Sequence, residues 1–271
     1  MENFIKQNTI AKHNGSIFKI MEPAFEESLN LFLNKYEDIL SRENHKLTQL
    51  NYNELPCETK GKDSFEWYWR SQSKKVVFSE IFSLKGKKVL EIGPWNGWLS
   101  HHLHKGGADL LCLDYFVEPP HGLRTKEYYH DPSWTSVQCD IENLDFLVPG
   151  FDYIILNHQL QFCSDPQKLI EQLFPLLNRG GKMLIIGMTI FQNPLKKEKK
   201  TEQFRKYYLN NYQFDIFFRP TKAYFDKNDK KKLEDTGFQI KACPGFRFRN
   251  FLSFIDKRRP FYCYGCFSAS N

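Results

Sequence analysis

Short runs of almost wholly apolar residues alternate with segments of helical periodicity through the middle of the chain. Strands that are buried on both faces read as continuous apolar runs, so this alternation predicts a parallel sheet covered by helices on both sides. Two later apolar runs would complete a seven-stranded, mostly parallel, doubly wound α/β sheet. The seven runs are residues 88–92, 109–114, 135–139, 151–156, 182–187, 237–240 and 261–267.

Apolar residues at helical spacing predict two helices ahead of the sheet, one within residues 22–47 and one beginning near Phe65. We therefore divide the chain into an N-terminal helical cap, residues 1–84, and a sheet domain, residues 85–271. The polar stretch 192–236 is interpreted as an insertion after the fifth strand. The aromatic residues that open the second helix are either core or a lid over a ligand. Further helices are predicted over residues 97–105, 166–178 and 226–236.

Length and composition place the chain among globular proteins. Its 271 residues are 41% hydrophobic and 26% charged, which excludes a disordered or collagen-like protein. No apolar run approaches the roughly 20 residues that a membrane-spanning helix needs, and the start lacks a secretory signal. The seven cysteines are an odd number spread along the chain. We therefore expect a cytoplasmic protein with no membrane partner.

One close cysteine pair, Cys263 and Cys266, lies within an apolar, strand-like run. No second pair of ligands accompanies this C-x-x-C spacing. We interpret the pair as structural, with metal binding or redox chemistry as the alternative. No metal site is predicted.

The net charge of +6 is unevenly distributed. Residues 192–271 contain 18 Lys and Arg against 8 Asp and Glu, a net charge of +10, so the rest of the chain carries −4. The densest basic runs are residues 196–200, 230–232 and 257–259. Such runs are either solvated faces or a docking surface for an anionic substrate or partner.

Polar residues follow several of the predicted strands. The first strand leads into the sequence VLEIGPWNGWLS, residues 89–100, in which an acidic residue precedes a glycine-bearing turn and a helix start. Later strands end at Asp114, at Asp140, and at Asn157 with His158. Because ligands bind at the carboxyl ends of strands in open α/β sheets, these residues predict one shared crevice.

The turn also excludes several nucleotide-binding and hydrolytic classes. It lacks the second close glycine of a dinucleotide-binding Gly-x-Gly-x-x-Gly turn, and Trp95 would crowd a pyrophosphate. The chain contains no Gly-Lys-Ser/Thr phosphate loop and no Gly-x-Ser-x-Gly nucleophile motif. Dehydrogenase, P-loop and α/β-hydrolase functions are therefore disfavoured.

On these residues the chain resembles the class I S-adenosylmethionine-dependent methyltransferases. The family's first motif is an acidic residue followed by Gly-x-Gly-x-Gly; Glu91, Gly93 and Gly97 match it, whereas Trp95 replaces the middle glycine. The sequence NHQLQFCSDP, residues 157–166, is similar to the family's fourth region, although Gln and Phe replace its Glu-His pair. The resemblance covers residues 85–191, and more loosely 237–268.

The resemblance implies a Rossmann-like fold, the cofactor S-adenosylmethionine and a set of contact residues. Asp114 would hold the ribose, Tyr115 would lie against the adenine, and Asp140 would meet the adenine amino group. The implied cofactor residues are Glu91, Gly93, Trp95, Asn96, Gly97, Asp114, Tyr115, Asp140, Ile141 and Asn157.

His158 is the candidate catalytic residue, because it follows the fourth strand beside the expected methyl group. It would act as a general base or contact the substrate; alternatively it orients the cofactor or a loop by hydrogen bonding. His101 and His102 are interpreted as surface or packing residues. Candidates for holding an anionic acceptor are Arg70, Tyr207, Tyr208, Arg219, Tyr224, Arg247 and Arg249.

The sequence lacks the motifs of amino-nucleobase and cytosine-5 methylation. We therefore predict a small anionic acceptor methylated on a hydroxyl or acid oxygen, such as a sugar, an acid or a natural-product intermediate. Two alternatives stay open. One is an RNA methyltransferase that binds nucleic acid through the basic C-terminal third, and the other is a non-catalytic partner subunit that keeps the fold.

Overall fold

A computed structural model describes residues 3–43, 52–56 and 64–270, and its strands join in a single ten-stranded sheet. The strands are β1 Lys12–Asn14, β2 Ile17–Ile20, β3 Lys88–Ile92, β4 Asp109–Asp114, β5 Thr135–Cys139, β6 Phe151–Asn157, β7 Leu177–Phe191, β8 Phe225–Asp226, β9 Gln239–Ala242 and β10 Pro260–Ser268. The helices are α1 Pro23–Arg42, α2 Ser64–Glu80, α3 Trp98–Lys105, α4 Pro166–Leu173, α5 Leu195–Tyr212, α6 Lys227–Asp235 and α7 Arg247–Ile255.

The strand order is β1-β2-β5-β4-β3-β6-β7-β10-β9, with β8 beside β7. Strands β2, β5, β4, β3, β6 and β7 pair in parallel, whereas β10 runs antiparallel to both β7 and β9. The chain order reverses at β3, where β4 lies on one side and β6 on the other. This arrangement confirms the predicted doubly wound, mostly parallel sheet and places its switch point at the glycine-bearing turn after β3.

The sheet has ten strands where the apolar runs predict seven. The extra strands are the N-terminal hairpin β1–β2, which joins the sheet through β5, and the two-residue β8. These strands have two to four residues each and lie at or beside sheet edges, so no long apolar run marks them. Residues 1–84 are therefore not wholly helical, and the division of the chain after residue 84 stays a prediction.

Two helices were not predicted. Helix α5 fills the stretch interpreted as a polar insertion, and only Tyr208 among its residues is buried. Helix α7 follows the turn at residues 244–246 and buries Asn250 and Ser253. Neither helix buries an apolar stripe, which is the pattern by which periodicity reveals a helix.

The core lies on both faces of the sheet. Leu90 and Ile154 pack on the face that α1 and α4 cover, and Val89 and Ile155 pack on the face of α2 and α3. Successive strand residues thus alternate between two buried layers, as expected for a sheet with helices on both sides. Among the described residues, no helix is both long and apolar enough to cross a membrane.

An aromatic cluster connects α2 with the turn before α7. Phe246 stacks on Tyr262 with ring centroids 4.2 Å apart, and Trp69 meets Tyr262 edge-on at 5.4 Å. The hydroxyl of Tyr68 donates to the carbonyl of Gly245 at 2.8 Å. The aromatic start of α2 is therefore part of the core, and Trp69 also continues into the candidate site described below.

The six cysteines in the described part of the chain are buried free thiols, Cys263 and Cys266 among them. No group of three or more metal-ligating side chains was found in residues 3–43, 52–56 and 64–270. Burial raises the pKa of the Cys266 thiol, which keeps it protonated near neutral pH. Cys57 and the last residues of the first predicted helix lie outside the described residues.

Candidate active site

A cavity of about 560 Å³ lies beside the carboxyl ends of β3 and β4. Its size is within the range of small-molecule and cofactor sites. The strand ends contribute Trp95, Tyr115 and Phe116, while α1, α5 and the loop after α5 supply most of the opposite wall. The residues from those three segments are Leu29, Phe32, Tyr36, Leu40, Phe204, Tyr208, Ile216, Phe217, Phe218 and Arg219. Arg219 is the one Lys or Arg in this lining.

The turn after β3 has left-handed backbone at Gly93, Trp95 and Gly97, with φ of 76°, 54° and 76°. A Cβ at Gly93 would lie 2.8 Å from Cβ of Gln159, so glycine is required there. Trp95 is strained in this conformation, by roughly 1–2 kcal/mol. Stacking offsets the strain, because its ring lies parallel to His121 at 5.0 Å and the turn brings it into the cavity wall.

Asp114 ends β4 directly before Tyr115 and Phe116, which line this cavity. Its Oδ1 accepts the backbone N–H groups of Tyr115 at 2.7 Å and Phe116 at 3.2 Å. Its Oδ2 accepts one long hydrogen bond, from the backbone N–H of Trp95 at 3.4 Å. Burial raises the pKa of the carboxyl to about 7, against the opposing effect of these N–H groups. Oδ2 therefore retains the capacity to accept hydrogen bonds from a ligand.

Glu91 lies behind the cavity wall and is fully buried. One carboxylate oxygen accepts from the Ser100 hydroxyl and the other from the Asn157 amide, each at 2.7 Å. These bonds tie β3 to α3 and to β6. Contact between Glu91 or Asn157 and a cofactor stays a prediction, and the observed role of the pair is to hold the turn in place.

Glu91 should also make stability depend on pH. Burial, which outweighs the bonds to Ser100 and Asn157, raises the pKa of Glu91 to about 7 from the model-compound value of 4.5. Between these values the folded protein keeps a proton that the unfolded chain has lost, so this group's contribution to stability falls as pH rises. We expect a contribution of about 3 kcal/mol to disappear between about pH 4.5 and 8.

The measurement is urea unfolding of wild type and Glu91→Gln across this pH range. The Gln side chain can keep both hydrogen bonds, because the Ser100 hydroxyl can rotate to accept from the amide. The lowered pKa values of His102 and His158 make stability rise with pH, and they do so equally in wild type and in Glu91→Gln. The difference in stability between the two proteins therefore reports on Glu91. A constant difference over the range would contradict the prediction.

Asp140 follows β5 and forms an ion pair that the sequence did not indicate. Its Oδ2 accepts from Nη2 of Arg219 at 2.7 Å, and the Tyr115 hydroxyl lies 3.4 Å from its Oδ1. The guanidinium lies over the rings of Phe25 and Phe218 at 5.0 and 5.5 Å. Arg219 was a candidate for binding the anionic acceptor, but it lies beside Asp140, where the adenine of the cofactor is predicted to bind.

Two buried polar groups near the turn and the cavity have no hydrogen-bond partner among the described residues. Nε of Arg219 is one, and the side-chain amide of Asn96 is the other. Asn96 is completely buried, and its backbone carbonyl, unlike its side chain, accepts a hydrogen bond from the Tyr129 hydroxyl at 2.8 Å. Buried polar atoms are normally satisfied by protein, ordered water or ligand. Ile141 is buried beside Asp140 and has no polar role.

His158 follows β6 with a left-handed backbone, φ of 56°. Its ring lies against Gly187, where a Cβ would approach within 2.2 Å. Nε2 is 3.2 Å from the hydroxyl of buried Ser73, and Trp69 contacts the ring edge-on at 5.0 Å. Burial, and secondarily the charge of Arg70, hold the pKa of His158 well below its usual range. The imidazole is therefore neutral at physiological pH.

Arg70 adds a fixed positive charge next to this histidine. Its guanidinium lies 4.1 Å from the Trp95 ring centroid and 5.4 Å from that of Trp67, and it pairs with Glu66 at 2.9 Å. The other acceptor candidates are dispersed: Tyr208 lines the cavity, whereas Tyr207 donates to Glu43. Tyr224, Arg247 and Arg249 are absent from the cavity lining.

Sequence reasoning missed several residues of the site. His121 and Gln159 line the cavity, Ser73 contacts His158, and Phe217 and Phe218 form part of the wall. His121, Phe217 and Phe218 lie in loops without a recognisable motif, and Ser73 lies on a helix far from the strand ends in sequence. Gln159 lies within residues 157–166, the region that resembles the family, and its place in that region was the one available signal.

Part of the chain is similar to known proteins. Residues 90–185 match the family described as "Methyltransferase domain". Malonyl-[acyl-carrier protein] O-methyltransferase from Erwinia billingiae is 31% identical over 103 residues, which are 37% of this chain and 38% of that protein. The tRNA U34 carboxymethyltransferase of Sulfurovum sp. is 29% identical over 118 residues, or 43% and 39% of the two chains. The chain thus matches well under half the length of these two relatives.

The fold is also similar to that of solved methyltransferases. Phosphoethanolamine N-methyltransferase 2 from Haemonchus contortus, in complex with S-adenosyl-L-methionine, superposes with a TM-score of 0.51 at 16% identity. The superposition covers 74% of this chain and 53% of that chain. At this identity the likeness concerns the fold alone.

Proposed function

We propose that this chain, whose residues 90–185 match a methyltransferase domain family, is an S-adenosylmethionine-dependent methyltransferase that methylates an oxygen of an anionic small molecule. The observation that carries the proposal is the aromatic cavity at the ends of β3 and β4, with Asp114 directly before its lining residues Tyr115 and Phe116. A fixed guanidinium, Arg70, and a neutral imidazole, His158, lie on the side of the turn toward α2.

The residues present fit the cofactor. Asp114 can accept ribose hydroxyl protons at Oδ2, while Tyr115 and Phe116 offer ring faces to an adenine. The unpaired Nε of Arg219 suits an acceptor atom of a bound heterocycle, and the orphaned amide of Asn96 lies in the turn itself. When bound, the cofactor supplies a methyl group already activated on a sulfonium. The protein is left to align the acceptor and exclude water.

The acceptor side favours an acid oxygen. A carboxylate is already a nucleophile, so its methylation needs no general base, whereas a hydroxyl would need one. The lowered pKa of His158 makes it a poor proton acceptor, and the adjacent charge of Arg70 attracts an anion. The name of the Erwinia relative, an O-methyltransferase of a malonyl group, is consistent with this choice.

We further propose that the elements outside the matched domain form the acceptor cap. Helix α1 supplies Leu29, Phe32 and Tyr36 to the cavity, and α5 supplies Phe204 and Tyr208. The hydroxyls of Tyr207, Tyr208 and Tyr212 all donate to Glu43 after the end of α1, at 3.0–3.2 Å. These contacts join the two cap helices over the strand ends, so acceptor choice would depend on both.

The first test is calorimetry with S-adenosylhomocysteine, followed by its release from S-adenosylmethionine with a panel of small carboxylic acids, phenols and sugars. We expect micromolar binding, of the order of −8 kcal/mol, and turnover with carboxylates. Absence of S-adenosylhomocysteine binding would refute a working cofactor site and favour a non-catalytic subunit. Binding with turnover of phenols alone would refute the acid-oxygen assignment only.

An RNA acceptor is the second candidate. The net charge of +10 over residues 192–271 and the Sulfurovum relative support it, but the cavity lining contains one cation and its volume suits a small molecule. Phosphate contacts make RNA binding fall steeply with salt. Tight, salt-sensitive binding of unmodified tRNA together with its methylation would replace the small-molecule proposal.

A further inference from the structure

Helix α7 buries its polar residues and exposes its apolar ones. Its polar residues Asn250 and Ser253 are 4% and 0% exposed, whereas apolar residues face outward. The exposed fractions are 73% for Phe248, 60% for Phe251, 63% for Phe254 and 69% for Ile255. Water-soluble proteins rarely expose a group of large apolar side chains on one surface without a binding partner for it.

Specific hydrogen bonds fix this orientation. The Asn250 side chain donates to the carbonyl of Tyr262 at 2.9 Å and accepts its N–H at 2.8 Å. The Ser253 hydroxyl donates to the carbonyl of Asn250 at 2.7 Å. Rotating α7 to bury the phenylalanines would break the paired bonds to β10 and leave buried polar groups unsatisfied, so the apolar face is held outward.

Positive charges flank α7 at both ends. Arg247 precedes Phe248 in α7, and Lys257, Arg258 and Arg259 follow the helix, with Asp256 as the only acidic residue from 247 to 259. The backbone N–H of Asn193 donates to the carbonyl of Lys257 at 2.9 Å, which brings the start of α5 alongside. There Leu195 is 60% exposed and is followed by two lysines.

We propose that this surface, α7 with residues 257–259 and Leu195, binds flat on an anionic phospholipid bilayer. Phe248, Phe251 and Ile255 follow the i, i+3, i+7 spacing of one helical stripe, and cations flank that stripe, the arrangement of helices that lie in a membrane interface. Ile255 and Leu195 have no ring to stack on a base, which favours lipid over single-stranded RNA.

This mode of binding is compatible with the lack of a spanning helix. A nine-residue helix is far too short to cross a bilayer, and searches for long apolar runs do not detect it. The expectation of no membrane partner rested on such runs. Surface attachment by α7 neither requires nor excludes methyl transfer, so it can be tested without a known acceptor.

The test is flotation of the full chain with vesicles of phosphatidylcholine mixed with phosphatidylglycerol, against pure phosphatidylcholine. We expect binding to the anionic vesicles that weakens as salt is added. The double variant Phe248→Ser/Phe251→Ser should bind about tenfold more weakly. Arg247→Glu/Lys257→Glu should weaken binding to anionic vesicles by a similar factor through charge alone.

Phe82→Ser is the matched control. Phe82 is 90% exposed but follows the far end of α2, whereas α7 begins beside the N-terminal part of that helix. It should bind vesicles like wild type, and all variants should keep the wild-type unfolding midpoint because the replaced side chains are exposed.

Three outcomes would overturn the proposal. One is no vesicle binding by wild type, and another is equal loss in Phe82→Ser and in the α7 double variant. The third is self-association, or binding of an RNA oligonucleotide, that depends on Phe248 and Phe251 while vesicles are not bound.

Discussion

Replacing Asp114 with Asn should weaken S-adenosylhomocysteine binding by about 100-fold, because a hydrogen bond to a charged group is worth about 1.5–3 kcal/mol. The Asn side chain keeps the oxygen that accepts the N–H groups of Tyr115 and Phe116. At the second position it presents an N–H donor, which cannot accept ribose hydroxyl protons and opposes the N–H of Trp95. Calorimetry on the folded variant measures the change directly.

Asp109→Asn is the matched control, since Asp109 begins the same strand at the opposite edge of the sheet and is exposed. It should bind S-adenosylhomocysteine like wild type. If the two variants bind equally well, Asp114 does not hold the ribose and the cofactor lies elsewhere. The unfolding midpoint of Asp114→Asn should be recorded, because Asp114 also supports the turn after β4.

The second large effect is expected at His158. Removing the ring in His158→Ala should lower kcat by about 100-fold, because the imidazole fills the space beside Gly187 and presents Nε2 toward Ser73. His158→Gln can keep the hydrogen bond to Ser73 and should retain most of the activity. The measurement is turnover of the acceptor found with the panel described above.

The pH profile separates this positioning role from general-base catalysis. Because the pKa of His158 is held well below its usual range, His158 should add no titration to kcat/KM from about pH 6 to 8. Asp114, with a pKa of about 7, titrates equally in wild type and in His158→Gln, so the two profiles should have the same shape. A rise centred near pH 6.5, together with a Gln variant as inactive as the Ala variant, would instead identify His158 as the base. His130→Gln, at an exposed histidine, should leave turnover and profile unchanged.

The sheet could be predicted because its strands are buried on both faces. The apolar runs at 88–92, 109–114 and 135–139 coincide with β3, β4 and β5, and the polar residues after them do meet at one edge. Parallel pairing places strand ends together regardless of what packs around them. That geometry is the reason a single sequence could place Asp114 and the turn after β3 at the same edge of the sheet.

The cap and the cavity wall could not be predicted, because their contacts join segments far apart in sequence. Arg219 reaches Asp140 across 79 positions, and Ser73 reaches His158 across 85. Helix α7 could not be predicted for a different reason. Its buried residues are Asn250 and Ser253, so its hydrophobic pattern marks the exposed face as the buried one. Its orientation depends on the two hydrogen bonds between Asn250 and Tyr262 of β10, which no periodicity encodes.

The aromatic cluster of Phe246, Tyr262 and Trp69 joins the two proposed sites through direct ring contacts. Phe246 immediately precedes α7, and the ring centroids of Trp69 and His158 are 5.0 Å apart. A shift of α7 on a bilayer would therefore be transmitted to the proposed acceptor site. Such coupling is reciprocal for binding free energies. If lipid strengthens acceptor binding by some factor, acceptor must strengthen lipid binding by the same factor, and the protein would remain longest on membranes that contain its substrate.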